Sequence, residues 1–339
     1  MGVNLSAIIP AEKRKMTDFN GWSVAVDAYN TIYQFVSIIR QPDGTPLVDR
    51  MGKITSHLSG ILYRTTNLLE AGIRPVYVFD GRPDELKRDT IAQRKAAKEK
   101  AQAAYEKAIE EGDMETARMK AQQTSRLTWE MVDEAKKLLD MMGVPYVQAP
   151  SEGEAQASYM AMKGAVKATA SQDFDSLLFG APRLIRNLTI TGRRKLPRKQ
   201  IYIDIVPELI ELEPALKSLG ITRGQLVDVA ILVGTDFNPG IKGIGPKKGL
   251  KLIQKHGTLE AVMKEKDLDI PSYERIRDIF LNPVVSDDFE LYWGGPDEDA
   301  VVSYLCGERG FSENRVRSTL KRMRKARMKA NQTTLESWF

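Results

Sequence analysis

Cysteine is almost absent: Cys306 is the only one in 339 residues, so no disulfide can form within the chain. Histidine is nearly as scarce. His57 and His256 lie far apart, which argues against a Cys/His zinc site and leaves oxygen as the donor for any metal. No stretch approaches the ~18 to 20 apolar residues of a membrane span. The opening MGVNLSAIIPAEKRK also lacks the apolar run and cleavage site of a secretory signal. The expectation is a protein that works inside a cell and off the membrane, as a monomer. Internal repeats and low-complexity blocks are missing too. One further absence is local: from Lys87 to Lys120 there are nine Lys/Arg and seven Asp/Glu but hardly any large aliphatics. A helix there has no wide apolar face to bury, so it reads either as a solvated hairpin or disordered insert, or as a charged arch beside a site.

What is present is an ordinary core, with 42% hydrophobic residues, and a net charge of +5. The balance points weakly to a polyanionic partner, and the placement of the charges says more. Basic residues cluster at Arg193, Arg194, Lys195, Arg198 and Lys199, at Lys242, Lys247 and Lys248, and from Arg315 to Lys329, while pairs of carboxylates close apolar runs. Nucleic acid held around an acidic metal centre requires such a segregation.

Short β-branched runs recur, WSVAVDA, RPVYVFDG, VPYVQAPSEGE, KATASQDFD, RLIRNLTI and QIYIDI, with helical patterns between several of them. The pattern implies an α/β domain with a mainly parallel central sheet flanked by helices, over residues 1–220, with an arch at about 82–130. A helical region follows over 221–325, and 326–339 forms a polar tail after a basic helix.

In an open parallel sheet, residues just beyond the carboxyl ends of the strands converge on one crevice. Four such ends carry acids: Asp27, Asp80, the pair Glu152 and Glu154, and the pair Asp173 and Asp175. Asp236 is a seventh, after a helix ending LVGT. Each has an ordinary local reading: Asp80-Gly81 as a turn, Ser151 with Glu154 as a capping box, Asp173 or Asp236 as a cap. Taken together they would repel one another, and no Lys or Arg is interleaved with these particular acids to neutralise them. All-oxygen ligation of Mg²⁺, with Mn²⁺ as substitute, resolves that repulsion. Two such ions ~3.5 to 4 Å apart activate water and stabilise a phosphodiester leaving oxygen.

The segment Gly240 to Leu250 has the form of a helix-hairpin-helix motif, placed at about 236–257, though a glycine-rich interhelical turn would look similar. Gly243 and Gly245 permit close backbone approach, Pro246 suits a first helical turn, and Lys247 and Lys248 flank amides that can meet a phosphate. At the end of the sequence, Gln332, Leu335, Trp338 and Phe339 have the spacing of a sliding-clamp-binding peptide; the alternative is a frayed end that packs its own aromatics.

The motifs VDAYNTIYQF, TSHLSGILYR, PVYVFDGRPDELK, APSEGEAQASYM, SQDFDSLLFG, LVGTDFNPGIKGIGPKKGLKLI and QTTLESWF resemble the flap endonuclease family, in order and over nearly the whole chain. The resemblance implies a PIN-like 5′ nuclease fold and a metal site on all seven acids, with Asp80 and Asp175 central to catalysis. It implies that Lys87 and Arg94 engage the scissile phosphate and that a base stacks on Tyr33, a residue that pattern alone assigns to the core. It implies that Arg40, Thr55 and Arg64 contact the 3′ side of a DNA junction, and that potassium sits on backbone oxygens around Asp236 to Ile244. The expected activity is two-metal 5′ flap endonuclease and 5′–3′ exonuclease action on branched double-stranded DNA in replication and repair. Because the sequence stops at Phe339, without the basic extension of eukaryotic relatives, it looks archaeal, hence cytoplasmic; a eukaryotic source would make it nuclear. The rivals are a sister 5′ nuclease for bubbles, gaps or four-way junctions, and a clamp-tethered DNA scaffold without catalysis.

Overall fold

A computed structural model describes residues 2–41, 43–190, 193–195 and 202–336. Strands and helices alternate from the start: β1 (Glu12–Lys13), β2 (Ser23–Asp27), α1 (Ala28–Ile38), α2 (Ser56–Glu70) and β3 (Arg74–Phe79). A 3-10 turn, Glu85–Lys87, leads into the arch helices α3 (Arg88–Glu110) and α4 (Met114–Gln123). The chain returns through α5 (Trp129–Met141), β4 (Tyr146–Gln148), α6 (Gly153–Met162), β5 (Ala168–Ala170), α7 (Asp175–Leu178) and β6 (Arg183–Arg186). A two-stranded ribbon, β7 (Arg193–Lys195) with β8 (Tyr202–Asp204), precedes β9 (Glu208–Glu211). The rest is helical: α8 (Leu212–Leu219), α9 (Arg223–Val233), α10 (Pro246–His256), α11 (Leu259–Lys266), α12 (Tyr273–Leu281), α13 (Glu298–Val302) and α14 (Glu313–Glu336).

The main sheet has seven strands in the order β1-β9-β6-β5-β2-β3-β4. Five are parallel, as expected, while β9 and β1 extend one edge antiparallel. From β2 the chain moves outward to β3 and β4, then crosses back to place β5 and β6 on the other side. The order therefore reverses beside β2, and the carboxyl ends of β2 and β5 flank the crevice where such sheets bind ligands.

Period-two alternation fixes which face is which. Val24, Val26, Tyr77, Phe79 and Ile185 face a core shared with α1, α2, α5 and α14. Ala25, Val76 and Val78 face α6 and an extended strap in which Phe289, Leu291 and Trp293 point inward. Leu184 and Ile210 face the third core, built by α7 to α12. Trp293 Nε1 ties the strap to the Pro75 carbonyl at 2.8 Å. The arch helices are thinly anchored by comparison, the side chains buried in α3 and α4 among the described residues being the alanines Ala101, Ala108 and Ala121.

The helical region is assembled by local signals. Thr222 and Gln225 form a reciprocal capping box at the start of α9, and Pro246 opens α10 directly after Gly245. Between them, a Cβ on Gly240 would fall 2.3 Å from the Val233 carbonyl, so only glycine closes this loop. Buried Asp228 joins α9 to α12 and α11: it pairs with Arg277 Nε at 2.8 Å and accepts from Leu259 N at 3.3 Å. Arg277 also reaches Glu260, at 2.7 Å. At the far end, α14 packs Val316, Leu320 and Met323 into the first core and continues as helix to Glu336, into the stretch expected to be a polar tail.

Replacing Arg277 with Ala strands the Asp228 carboxylate among apolar helices. Urea unfolding should show a loss of about 3 kcal/mol, and the paired change Asp228→Asn with Arg277→Met should recover most of it. An Arg277→Ala midpoint equal to wild type would refute this account of the helical core.

Candidate active site

Each acid in the crevice is held by an element end. Asp27 closes β2 and caps α1, with Oδ1 accepting from Asn30 N at 3.0 Å and Oδ2 from Ser171 Oγ at 3.4 Å. Asp80 follows β3, and its Oδ1 accepts from Gly153 N at 2.6 Å. A Cβ on Gly153 would sit 2.7 Å from that oxygen, so glycine lets α6 begin against Asp80. Glu152 is the residue before α6, and Glu154 in its first turn accepts from Ser176 Oγ at 3.0 Å. Asp173 accepts from Asn30 Nδ2 at 3.1 Å, and Asp175 opens α7 and accepts from Val3 N at 3.0 Å. Asp236 arrives from the helical region, three residues past α9.

These carboxylates share one electrostatic site. Burial, then Asp80 and Asp173, push Asp27 up to about 8. Burial, then Asp173 and Asp236, push Asp175 up to about 7. Glu154 is raised well above the ordinary range by burial and then by Asp175, Asp27 and Asp173. Burial also raises Asp80 and Glu152, with Lys87 pulling both back.

Two arch cations enter this site, contrary to the sequence reading that no Lys or Arg is interleaved with the acids. Lys87 Nζ bonds Glu152 Oε2 and lies 3.9 Å from Asp236 Oδ2, while Arg94 Nη2 donates to Asp236 Oδ1 at 2.6 Å. Lys87 also sits 5.1 Å above the Phe237 ring. Burial opposes its charge, yet Glu152, Asp236 and Asp80 prevail and raise its pKa. Sequence distance hid these pairs, since Arg94 and Asp236 are 142 residues apart. The Ser151/Glu154 capping box also fails: Glu152 is the cap residue and makes no side-chain cap bond, and Ser151 Oγ bonds the Arg82 carbonyl at 3.3 Å.

Among the described residues no three His, Cys, Asp or Glu side chains close around one point as a ready ion cage. The donor set accounts for this, because Lys87 and Arg94 occupy Glu152 and Asp236 while the other acids are turned to local donors. A magnesium-type ion keeps most of its waters and needs one or two direct carboxylates, which the all-oxygen, mutually repelling set can supply. Asp27, Asp80, Glu154, Asp173 and Asp175 are the acids that neither cation bonds directly.

Tyr33 is half-buried under the arch rather than in the core, with Lys98 Nζ 5.0 Å above its ring. Arg40 bonds Ser37 O, Gly44 O and Ser125 Oγ at 3.1, 2.8 and 2.6 Å, joining the loop after α1 to the foot of the arch. Thr55 is buried at the start of α2, and Arg64, on the same helix, has its pKa lowered by burial. In the glycine-rich loop Gly243 has φ +83° and, like Gly245, is exposed. Lys247 and Lys248 are exposed beside it, Lys248 donating to the Gly243 carbonyl at 3.2 Å. Gln332 and Leu335 fall in α14, but their side chains, and Trp338 and Phe339 altogether, lie outside the described residues, as do Arg198 and Lys199.

Sequence reasoning missed several participants. Asn30, three residues after Asp27, bridges to Asp173, and Ser171 and Ser176 serve Asp27 and Glu154. Gly2 is the least visible of them: a Cβ there would overlap the Asp175 carboxylate at 2.3 Å, so the N-terminal segment lies against the site. Only the small residue at position 2 hints at it.

Models of two families match the chain, the XPG N-terminal domain over residues 1–101 and the XPG I-region over 143–236. Flap endonuclease 1 of Pyrococcus furiosus is 54% identical over 100% of this chain and 99% of its own length. The Methanococcoides burtonii protein of that name is 51% identical over 100% of both. Among solved structures, flap endonuclease-1 from Methanococcus jannaschii aligns with a TM-score of 0.76 at 42% identity, covering 96% of this chain and 98% of that one. The catalytic core of Rad2 in complex with a DNA substrate aligns at 0.69 and 25% identity, covering 92% and 96%. On this full-length likeness the chain belongs to the flap endonuclease 1 family of structure-specific nucleases.

Proposed function

We propose that this nuclease cuts branched double-stranded DNA at the base of a 5′ flap, leaving a 5′ phosphate and a 3′ hydroxyl. The observation that carries the reading is the meeting of seven carboxylates with Lys87 and Arg94 in one crevice under the arch. The acids form the divalent-metal site, with Mg²⁺ the fitting ion and Mn²⁺ a substitute. Two such ions, when bound, supply water activation and charge stabilisation on the leaving oxygen. Water adds to phosphorus and the bond to the 3′ oxygen breaks. Lys87 and Arg94 lie where charge builds on the phosphate, and as the strand enters they exchange a carboxylate for it.

Binding is divided among surfaces that read shape rather than sequence. The Gly243–Lys248 loop acts as a helix-hairpin-helix, offering backbone amides and two lysines to duplex phosphates, with potassium on carbonyls of the Asp236–Ile244 loop. Tyr33 serves as a platform for the base beside the cut. Arg40, Thr55 and Arg64 line the 3′ side of the junction, where Arg40 also ties that loop to the arch. Gln332, Leu335, Trp338 and Phe339 dock a sliding clamp. No helix among the described residues is long and apolar enough to cross a membrane.

Asp80→Ala or Asp175→Ala should lower single-turnover cleavage of a labelled 5′ flap by about 10³-fold, since each removes metal-held transition-state stabilisation. DNA affinity should hold, and undiminished cleavage would defeat the metal assignment. Lys87→Ala should cost about 10²-fold in the same assay, seen as a lower rate at saturating enzyme. Saturating Mg²⁺ should raise the melting temperature of metal-free protein, about 2.7 kcal/mol at a hundredfold excess over Kd, and Asp27→Asn with Asp175→Asn should shrink that rise. An equal rise in the double variant would place the ion elsewhere. Removal of residues 332–339 should abolish stimulation by a clamp while leaving intrinsic cleavage unchanged; stimulation that survives would dismiss the tail as the tether.

A further inference from the structure

The arch is fastened to the C-terminal helices at its first turn. Asp84, three residues before Lys87, accepts from Leu86 N at 2.9 Å and so caps the 3-10 turn Glu85–Lys87. The same carboxylate receives Nη2 of Arg275, on α12, at 3.2 and 3.1 Å. Leu86 packs against the cluster that holds Phe237, Ile276 and Phe280, and Ile276 is the neighbour of Arg275 along α12. Lys87 then meets Asp236 and the face of Phe237, which follow α9. Helices α9 and α12 are packed together and joined by the buried Asp228–Arg277 pair. One packed unit therefore carries both the anchor of the hinge and two of the neighbours of Lys87.

We propose that Arg275 is a positioning residue: through Asp84 it sets where the arch begins, and thereby where the Lys87 ammonium stands relative to the crevice. The proposal rests on the flap-cleaving reading above. With Arg275 53% and Asp84 23% exposed, the pair adds little to global stability. Its effect is geometric. Asp84 can cap the turn without Arg275, but the turn then loses its ion pair to α12 and keeps the apolar packing of Leu86 against the cluster. Because one nitrogen of Arg275 serves both carboxylate oxygens, a lysine ammonium can replace it. The thin packing of the arch makes this fixed point matter, since no wide apolar face restrains α3 beyond it.

The test compares Arg275→Ala, Arg275→Lys and Asp84→Asn, the last keeping a capping oxygen but losing the charge. Single-turnover cleavage of a labelled 5′ flap is measured across enzyme concentrations, alongside DNA affinity and hydrogen exchange of the amides from Leu86 to Ile91. Arg275→Ala and Asp84→Asn should each slow cleavage about tenfold at saturation, as small displacements of a catalytic group do, with DNA Kd within about twofold of wild type. Their combination should be no worse than either alone, and Arg275→Lys should restore the rate. Exchange at the hinge should quicken in the two slow variants. Arg275→Ala added to Lys87→Ala should cost nothing further, because the first acts through the second. A weakened Kd with an unchanged saturating rate would make Arg275 a DNA contact, and wild-type rate and exchange in Arg275→Ala would make the pair incidental. Either outcome is separable from failure of the nuclease reading, because the wild-type protein must cut the flap in the same assay.

Discussion

Like charges buried side by side are the constraint around which this molecule is arranged. Asp27, Glu154 and Asp175 all have raised pKa values, burial being the largest cause and neighbouring acids the next. Isolated ionised carboxylates in such a place cost many kcal/mol, so they must be protonated, paired or metal-bound. The sheet accepts this strain because each acid stands at an element end that local hydrogen bonds fix: Asn30 on Asp27, Gly153 on Asp80, Val3 on Asp175. The fold thus holds the groups near one another, and the surroundings decide how their charge is balanced.

The balance comes from two directions. The sheet supplies six of the acids, and the helical region supplies Asp236, to which both arch cations turn. Asp236 is therefore a meeting point of three parts of the chain, which explains why its loop is built so tightly, with Asn238 bonded to Thr235 and to the Ile231 carbonyl. The buried Asp228–Arg277–Glu260 network behind it holds α9, α11 and α12 as a unit. A position that must register against the sheet to within a hydrogen bond needs such a rigid support.

Much of this was legible in the sequence, for a reason that can be traced. β2 and β3 end in acids after apolar runs, and a parallel sheet gathers such ends whatever the sequence separation, so Asp27, Asp80, Asp173 and Asp175 could be assembled on paper. Asp236 depends on packing between distant helices, and its place after the helix ending LVGT made it the weakest of the seven before the motif resemblance supported it. β9 escaped notice because ELIE is a four-residue strand with acidic ends directly after Pro207, while the more β-branched QIYIDI drew attention to the ribbon strand β8. The pairing of Lys87 and Arg94 with acids was hidden because it depends on how the arch folds back, and the arch carries almost no hydrophobic pattern to read. Local readings fared worst where they competed with the site: Ser151 had the chemistry of a cap, but the crevice claimed the start of α6, and Glu152 stands there bonded to Lys87.

That crowding also explains why, among the described residues, no carboxylate trio closes into an ion cage while the acids still form a coherent site. Glu152 and Asp236 are occupied by the two cations that the proposed function assigns to the scissile phosphate. An ammonium or guanidinium resting on a carboxylate is screened and partly desolvated already, so moving it to a phosphate exchanges one anion for another rather than stripping a hydration shell. On the proposed function, the carboxylates left behind then become available to hydrated divalent ions. On that reading, entry of the strand and loading of metal favour each other, since each removes the partner that the other would have to displace. On the proposed function, the arch cations that pair with Glu152 and Asp236 become phosphate ligands when DNA is bound, so the start of the arch must reach both positions. Its place at the mouth of the crevice is accordingly set by its neighbours, by Glu152 before α6 and by the helical region through Asp236, Arg275 and the cluster that receives Leu86, and not by a wide apolar face along α3.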